Sequence, residues 1–439
     1  MNISIATLFP ELYGPFLRQS LIGKAQERGI ISCHVRSFMD MCVPKERIDG
    51  PTFGHHAGMV LRPEVVERLV EAQEHLHGSA LKIFFSPRGR LLDQDYVRHL
   101  ADRMSKHSHV MFCAARYEGM DARIEEEYAD EIISLGNFVM MGGDIPLLAT
   151  LEAVLRYIPG VVGKMESVER DSFTGALVDA PAYTAPVSWR DRTVPEVLRS
   201  GDHARIAAWE EQQAIQESVA HHFEWLRSHE VNVRQKEVIL REIPSHYVAL
   251  MHHEVLLPNG PGTTSVTSLD VHDIARSSKT YGFQGFFVVT PLRDQQKIAQ
   301  KLLNFWQYEG GSQYNPDRQE ALATTSIVST IDEVIAQIAA RHGERPIVIA
   351  TSAKTVDAHK MITYYDQSVV WQSRKPVLIL LGTGRGLAPQ AYDRAQYILA
   401  PIEGLSTFNH LSVRSAAAII FDRWIGMNVK KRYILRDES

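Results

Sequence analysis

The sequence has few cysteines and no long apolar run, and each absence excludes a class of protein. Its three cysteines, Cys33, Cys42 and Cys113, are an odd number without CxxC spacing. This argues against a disulfide framework and against a zinc site. No apolar stretch approaches the roughly 20 residues of a membrane span. The start, MNISIATLFPELYG, lacks the basic and apolar segments of a secretory signal. We therefore expect no membrane contact and a cytoplasmic location.

Positive charge is also not in excess. The net charge of −5 gives no global attraction for nucleic acid, so any RNA contact must come from local basic patches. For each candidate patch alone, an ordinary solvated helix face explains the charges equally well. The candidates are two successive groups: Arg190, Arg192, Arg199 and Arg205, then Arg227, Arg234, Lys236 and Arg241.

Length and periodicity predict an α/β protein of two or three domains. The 439 residues exceed one ordinary core, and 45% hydrophobic residues are typical of globular proteins. In both outer thirds, apolar runs such as HVMFCAA, HYVALMHHEVLL and VLILLG alternate with amphipathic segments such as EVVERLVEAQEHL. This alternation predicts mainly parallel sheets covered by helices. From about Pro195 to Glu242 the period is helical, which predicts a small helical domain.

Four motifs follow one another in the first half of the chain. They are RYEGMD at 116–121, GGDIP at 142–146, RYIPG at 156–160 and ESVERDSF at 166–173. In this order they resemble the bacterial tRNA (guanine-N1)-methyltransferase family, TrmD. The resemblance implies an enzyme that uses S-adenosylmethionine to methylate N1 of the guanosine just 3′ of the tRNA anticodon.

Two residues of these motifs fit the chemistry that the resemblance implies. Guanine N1 is a poor nucleophile while it carries its proton, so the site must remove that proton and stabilise negative charge towards O6. Asp171 is the candidate base and Arg156 the candidate O6 partner. An aspartate with a pKa of about 3.9 is a weak base, so we predict that the two act together. Outside these motifs, such a pair would be interpreted as a surface ion pair.

Three segments after predicted strands would build the methyl-donor site: SPRGR at 86–90, RYEGMD, and LGNFVMMGGD at 135–144. In the TrmD family the corresponding loops form a deep trefoil knot that holds the donor. Glycines allow backbone to pass close to ligand, although ordinary turns also explain them. By resemblance, donor contacts fall on Pro87, Gly89, Ala115, Glu118, Gly136, Phe138, Met140 and Gly142, and substrate contacts on Gly58, Met59, Ser172 and His203.

Two positions depart from the family's pattern. Ala115 stands where a glycine usually precedes the RYEG motif. His55 and His56 stand in FGHHAGM where glycines are expected, so two imidazoles replace bare backbone near the target base. An adjacent histidine pair has the wrong spacing for a closed metal site. We expect it to alter access of the base or affinity for tRNA.

The segment SGDHARIAAW at 200–209 resembles the opening of the TrmD helical domain, which grips the anticodon arm. In that family the partner subunit completes each active site, so the resemblance implies a homodimer. It also implies a magnesium ion, although no residue pattern in the sequence indicates a metal cage.

The second half carries a different set of motifs. LDVHDIARSSKTYG at 269–282, LLGTGRGLA at 380–388 and LAPIEG followed by FNHLSVRSAAAII resemble the three motifs of SpoU-type RNA 2′-O-methyltransferases. The resemblance aligns Arg276 with an arginine that assists deprotonation of a ribose hydroxyl. Asp270, His272 and Asp273 depart from its usual residues. Donor contacts would fall on Gly382, Gly384, Gly386, Ile402 and Leu411.

Two other interpretations of the second half remain open. GTGRG suggests a dinucleotide-binding fold, but that fold needs its glycines after the first strand, and here they come near the end. A non-catalytic module that docks tRNA or stabilises a dimer is the other alternative.

Together these observations predict two knotted, parallel-sheet methyltransferase domains of the SPOUT type, joined by a small helical domain. The predicted boundaries are 1–165 for the first domain, 166–194 for a linker with Asp171, 195–244 for the helices and 245–439 for the second domain.

Overall fold

The computed structural model describes residues 1–54, 57–163, 168, 171–308, 311–356 and 360–429, with the backbone alone at 311 and 312. His55, His56 and part of the ESVERDSF motif lie outside these residues. The chain divides into two compact units, Met1–Thr174 and Gly175–Ser439.

The first unit alternates strands and helices. Its strands are β1 Asn2–Thr7, β2 Ser32–Ser37, β3 Asp49–Pro51, β4 Met59–Leu61, β5 Leu81–Leu91, β6 His109–Cys113 and β7 Glu131–Ser134. Its helices are α1 Tyr13–Leu17, α2 Ser20–Glu27, α3 Pro63–His77, α4 Gln94–Ser105, α5 Ala122–Tyr128 and α6 Asp144–Leu155, with short 3₁₀ turns at Pro10–Leu12 and Phe38–Met41.

Five of these strands form one parallel sheet in the order β2-β1-β6-β5-β7. All five residues of β6 are buried, as expected for a strand covered on both faces. Apolar clusters cover the two faces, one around Phe112 and the other around Phe84. The predicted parallel sheet is confirmed for this unit. In such a sheet the carboxyl ends of β5, β6 and β7 lie at one edge.

The segment SPRGR was predicted to be a loop after a strand, and this prediction is wrong. Residues 86–90 continue β5, which runs to Leu91 and pairs with β7 through an irregular register between Phe85 and Arg90. A Cβ on Gly89 would stand 2.6 Å from the carbonyl oxygen of Ile132. Only glycine therefore lets the two backbones approach this closely.

The second unit also alternates strands and helices. Its strands are β8 Ser188–Trp189, β9 Arg192–Thr193, β10 His246–Met251, β11 His253–Leu257, β12 Gly260–Thr263, β13 Gly285–Val289, β14 Thr325–Val328, β15 Ile347–Thr351, β16 Met361–Ile362, β17 Val377–Gly382 and β18 Tyr397–Leu399. Its helices are α7 His203–His221, α8 Phe223–Arg227, α9 Val233–Glu242, α10 Ser268–Thr280, α11 Arg293–Tyr308, α12 Gly311–Tyr314, α13 Pro316–Leu322, α14 Ile331–His342, α15 Gln367–Trp371, α16 Pro389–Asp393 and α17 Val413–Ile425, with a 3₁₀ turn at Glu196–Arg199.

Seven of its strands form a second parallel sheet, in the order β14-β13-β10-β17-β15-β18-β16. The apolar run HYVALMHHEVLL forms two strands, β10 and β11. It breaks at His252, whose backbone N–H donates to Val289 O at 3.0 Å, and continues as the hairpin β11–β12. GTGRG follows β17, after five other strands of the sheet, which does not fit a dinucleotide fingerprint.

The helices α7 to α9 share one apolar core with the second sheet. Ile215 and Phe223 belong to the same buried cluster as Trp371 and Trp424, and the rings of Phe223 and Trp371 lie edge to face at 4.9 Å. Arg227, assigned above to a basic patch, is 6% exposed. Its guanidinium donates to the Asp422 and Arg423 carbonyls at 2.6 Å.

Two features of the described residues bear on the expectations for membrane contact and for the cysteines. Within the described ranges, no helix combines the length and apolarity needed to cross a bilayer. The three cysteines are free thiols, and burial raises the pKa of Cys113 to about 12. This thiol therefore stays protonated and unreactive at neutral pH.

Candidate active site

A cavity of about 1060 Å³ opens at the carboxyl edge of the first sheet, where ligands bind in α/β proteins. Its wall combines residues 85–88 of β5 and residues 133 and 134 of β7 with the segments that follow β6 and β7. The β3–β4 hairpin and the starts of α3 and α5 close another side. Phe138 and Val139 are 59% and 88% exposed, so apolar surface here faces the cavity or solvent.

Glycines shape this cavity by close packing. A Cβ on Gly142 would stand 2.4 Å from Cδ of Arg116, and one on Gly136 would stand 2.5 Å from the ring of Phe138. Gly58 has a φ of 107°, and its Cβ would stand 2.4 Å from Cγ of Glu118. Side chains at these positions would displace the residues that line the cavity.

The predicted donor residues are mostly brought together here. Seven of them line the cavity: Pro87, Ala115, Glu118, Gly136, Phe138, Met140 and Gly142. Gly89 lies in β5, where it packs on β7 rather than lining the cavity. Of the predicted substrate residues, Gly58 packs against the Glu118 side chain and Met59 begins β4. His203 begins α7 as an exposed residue of the second unit.

A buried carboxylate below the cavity was not predicted from the sequence. Asp144 is 1% exposed and accepts hydrogen bonds from Thr7 Oγ1 at 2.5 Å, Tyr13 OH at 2.8 Å and Arg116 Nε at 2.9 Å. Burial, followed by the charge of Asp144, raises the pKa of Tyr13, which therefore stays a donor. The GGDIP motif contained the signal, because it places an acid at the first residue of α6.

One ion pair that was not predicted from the sequence does line the cavity. Arg88 Nη2 lies 2.6 Å from Glu125 Oε2. Burial raises the pKa of Glu125, although the arginine opposes this change. Because the Arg88 side chain is 66% exposed, it also presents a positive charge at the cavity mouth.

Arg156 and Asp171 form an ion pair in the structure. Arg156 follows the last residue of α6, and Asp171 begins a turn in which Thr174 N–H donates to its carbonyl oxygen at 3.1 Å. Their side chains are 49% and 32% exposed. Neither residue, nor Ser172, belongs to the described lining of the cavity within the same chain.

The carboxyl edge of the second sheet also carries a crowded glycine loop. A Cβ on Gly382 would stand 2.7 Å from the Leu387 nitrogen, and Gly384 and Gly386 have φ values of 64° and 104°. The β11–β12 hairpin bonds to this loop through Leu256 N–H, which donates to Gly386 O at 2.8 Å. The predicted donor residues Ile402 and Leu411 lie in the segment after β18.

A hydrogen-bond chain fixes the tautomer of His252 at this edge. The Thr383 hydroxyl donates to Met251 O at 2.8 Å, so it must accept from the Thr264 hydroxyl, whose Oγ1 lies 2.6 Å from Thr383 Oγ1. Thr264 Oγ1 in turn lies 3.1 Å from His252 Nδ1 and has no proton left to donate to it. Nδ1 is therefore the donor, and burial lowers the His252 pKa to about 4. Arg276 is exposed on α10, and within the described ranges no hydrogen bond or ion pair joins it to the glycine loop.

The fold and the cavity define a parallel-sheet α/β protein with a ligand site at strand carboxyl ends. Residues 1–228 match the model of the tRNA (guanine-1)-methyltransferase TrmD family, and residues 245–426 match that of a SAM-dependent RNA methyltransferase family. This chain belongs to the TrmD family and carries a second, C-terminal RNA methyltransferase domain.

Relatives of two lengths match the chain. The tRNA (guanine-N(1)-)-methyltransferases of Nitratidesulfovibrio vulgaris and Oleidesulfovibrio alaskensis are 39% and 38% identical over 97% of this chain and 99% of their own. That of Thermus thermophilus is 40% identical over 50% of this chain and 89% of its own. The two-part arrangement is therefore shared with some relatives, while the Thermus thermophilus protein matches about half of this chain.

Proposed function

We propose that the first unit transfers a methyl group from S-adenosylmethionine to N1 of the guanosine immediately 3′ of a tRNA anticodon, the position-37 type. The observation that carries this proposal is the Arg156–Asp171 ion pair, in the unit that also holds the cavity. The matching family and the names of the full-length relatives support the reaction class, tRNA as substrate and guanine N1 as the target.

Arg156 and Asp171 would perform the two tasks that guanine N1 requires. The Asp171 carboxylate accepts the N1 proton, and the Arg156 guanidinium donates to O6, where negative charge develops. In the free protein the two are paired with each other and partly exposed. The arriving guanine would replace this ion pair with charge-assisted contacts to its own N1–H and O6.

The cavity fits the proposed methyl donor. Backbone at Gly136 and Gly142, the Phe138 ring and the Glu118 carboxylate offer a mixed apolar and polar wall for an adenosine, an amino acid and a positive sulfonium. When bound, S-adenosylmethionine supplies an activated methyl group. The chain would hold and orient it, and would exclude water from the reacting groups.

We further propose a trefoil-knotted fold of the SPOUT type and a homodimer. Close backbone passage supports the knot: Gly89 packs on Ile132, and Gly143 N–H donates to Ala115 O at 2.7 Å. The catalytic pair lies outside the described lining of its own cavity, which supports completion of each site by a second copy. The exposed Val139 and Met141 offer apolar surface for that contact.

The helices α7 to α9 would bind the anticodon arm, with His203 at an exposed helix start. We keep a cytoplasmic location in the proposal because tRNA is the proposed substrate. Only the family resemblance implies a magnesium ion. In the described part of the chain no group of three or more His, Cys, Asp or Glu side chains is placed to hold a metal ion.

For the second domain we propose binding of the same donor and methylation of RNA, at a ribose 2′-hydroxyl, with Arg276 assisting. The family match to residues 245–426 and the glycine loop after β17 support donor binding. The alternative is a module that docks tRNA without catalysis, and the shared core of α7 to α9 with the second sheet favours it. We keep the boundaries 1–165, 166–194, 195–244 and 245–439 as the proposed functional division.

Nucleoside mass spectrometry of an unmodified tRNA incubated with S-adenosylmethionine tests both domains. We expect N1-methylguanosine from a tRNA with guanosine after the anticodon and none when adenosine replaces it. A second methylated nucleoside that disappears in Arg276→Ala, with N1-methylguanosine retained, would support catalysis by the second domain. Absence of N1-methylguanosine would refute the proposal for the first unit.

A further inference from the structure

Three segments of the first unit meet at the Asp144 carboxylate. Thr7 ends β1, Tyr13 begins α1, and Arg116 lies in the segment after β6. All three donate to Asp144, which is itself the first residue of α6. A buried charge is tolerated because it is paired and hydrogen-bonded, and the helix start favours a negative group.

The bond to Arg116 connects this carboxylate to the cavity wall. Arg116 lines the cavity, and its Nη1 donates to Met141 O at 3.2 Å. Its guanidinium also lies 4.6 Å from the centre of the Phe9 ring. One side chain therefore ties the segment after β6 to the segment after β7, and Asp144 fixes its orientation from below.

A structural role alone is a weak explanation for this arrangement. Buried ion pairs are often no more stabilising than apolar residues of similar volume. Here the carboxylate holds the two segments whose backbone lines the cavity, and Gly142 packs against Arg116 with no room for a Cβ. In a preorganised binding site, supporting hydrogen bonds fix the groups that contact the ligand. The bonds to Asp144 would do this for Arg116 and the two segments.

We infer that Asp144 is a positioning residue for methyl-donor binding, acting through Arg116 on the segments 115–119 and 140–143. The inference rests on the proposed function of the first unit. Asp144 does not itself line the cavity, so its loss should weaken the donor complex and leave the chemistry of the Arg156–Asp171 pair intact.

The test compares Asp144→Asn with Glu131→Gln in the full chain. Glu131 is a matched control, because its carboxylate is 15% exposed and accepts from a tyrosine and an arginine, Tyr96 and Arg103, at the amino end of β7. We expect Asp144→Asn to raise the Kd and KM for S-adenosylmethionine about tenfold or more. The kcat at saturating donor should stay within about threefold, and Glu131→Gln should keep wild-type donor affinity.

Tyr13→Phe keeps the inference testable if Asp144→Asn does not fold, since it removes one donor and leaves the charge paired. It should raise the donor Kd in the same direction by a smaller factor. An unchanged Kd in the folded variants would overturn the inference, as would an equal rise in Glu131→Gln. A wild-type protein that binds the donor and makes no N1-methylguanosine would instead overturn the proposed function alone.

Discussion

His246 should make the second unit lose stability in mild acid. It is 2% exposed, and the Trp424 indole N–H donates to its Nε2 at 2.9 Å. Because an indole is only a donor, Nε2 must be the acceptor, and Nδ1–H then donates to Pro244 O at 2.6 Å. Protonation of Nε2 would place its N–H against the indole N–H of Trp424 in a buried site.

The magnitude follows from the pKa. Burial lowers the pKa of His246 from 6.5 to about 4, although the bond to Pro244 opposes this change. The unfolded chain binds the proton more readily, so the stabilisation is complete above pH 6.5 and is lost as the pH falls towards 4. At about 1.4 kcal/mol per pKa unit the whole effect is about 3 kcal/mol, of which about 2 kcal/mol falls between pH 7 and pH 5.

Tryptophan fluorescence can isolate this effect, because the chain's six tryptophans all follow residue 174 and therefore report the second unit. Urea unfolding would be followed at pH 7 and pH 5 for the wild type and for His246→Gln, which keeps an acceptor for Trp424 and does not titrate. The wild type should lose about 2 kcal/mol more than the variant between the two pH values. His252 and other groups contribute equally to both proteins. Equal losses would refute the reasoning.

Two further predictions concern packing. Arg227→Ala should lower the free energy of unfolding of the second unit by about 3 kcal/mol, because the buried Arg227 side chain would lose its packing and its charge-assisted bonds to two carbonyls of α17. Urea unfolding checks this, with the exposed Arg234→Ala expected within about 1 kcal/mol of wild type. Gly142→Ala should weaken donor binding about tenfold in calorimetry, because its Cβ would stand 2.4 Å from Arg116. Gly163→Ala is its control, with open space among the described residues, and equal affinities in the two variants would contradict the prediction.

The sequence predicted the features that depend on local periodicity and motif order. The parallel sheets follow from buried apolar runs, and both ends of α14 follow from local cap residues: Thr330 Oγ1 accepts from Glu333 N–H, and Gly343 follows the last residue with a φ of 77°. Motif order also predicted Arg156 with Asp171, which the structure pairs.

The errors arose where contacts between distant residues decide the structure. Arg227 looked like a surface cation, because nothing nearby in sequence shows that its guanidinium donates to carbonyls 195 and 196 residues away. The strand β5 continues through SPRGR because β7 pairs with it, and His252 interrupts a continuous apolar run because a hairpin packs on the glycine loop. Asp144 was part of a recognised motif, but its three donors come from separate segments.

The central claim is that Asp171 is the base for guanine N1. The most direct test is single-turnover formation of N1-methylguanosine at saturating S-adenosylmethionine, in wild type, Asp171→Asn and the exposed control Asp102→Asn. Removal of a general base costs about 10²- to 10⁴-fold in rate, so Asp171→Asn should lose that much while its donor Kd stays unchanged. Asp102→Asn should match wild type. An Asp171→Asn protein that forms N1-methylguanosine at the wild-type rate would contradict the account.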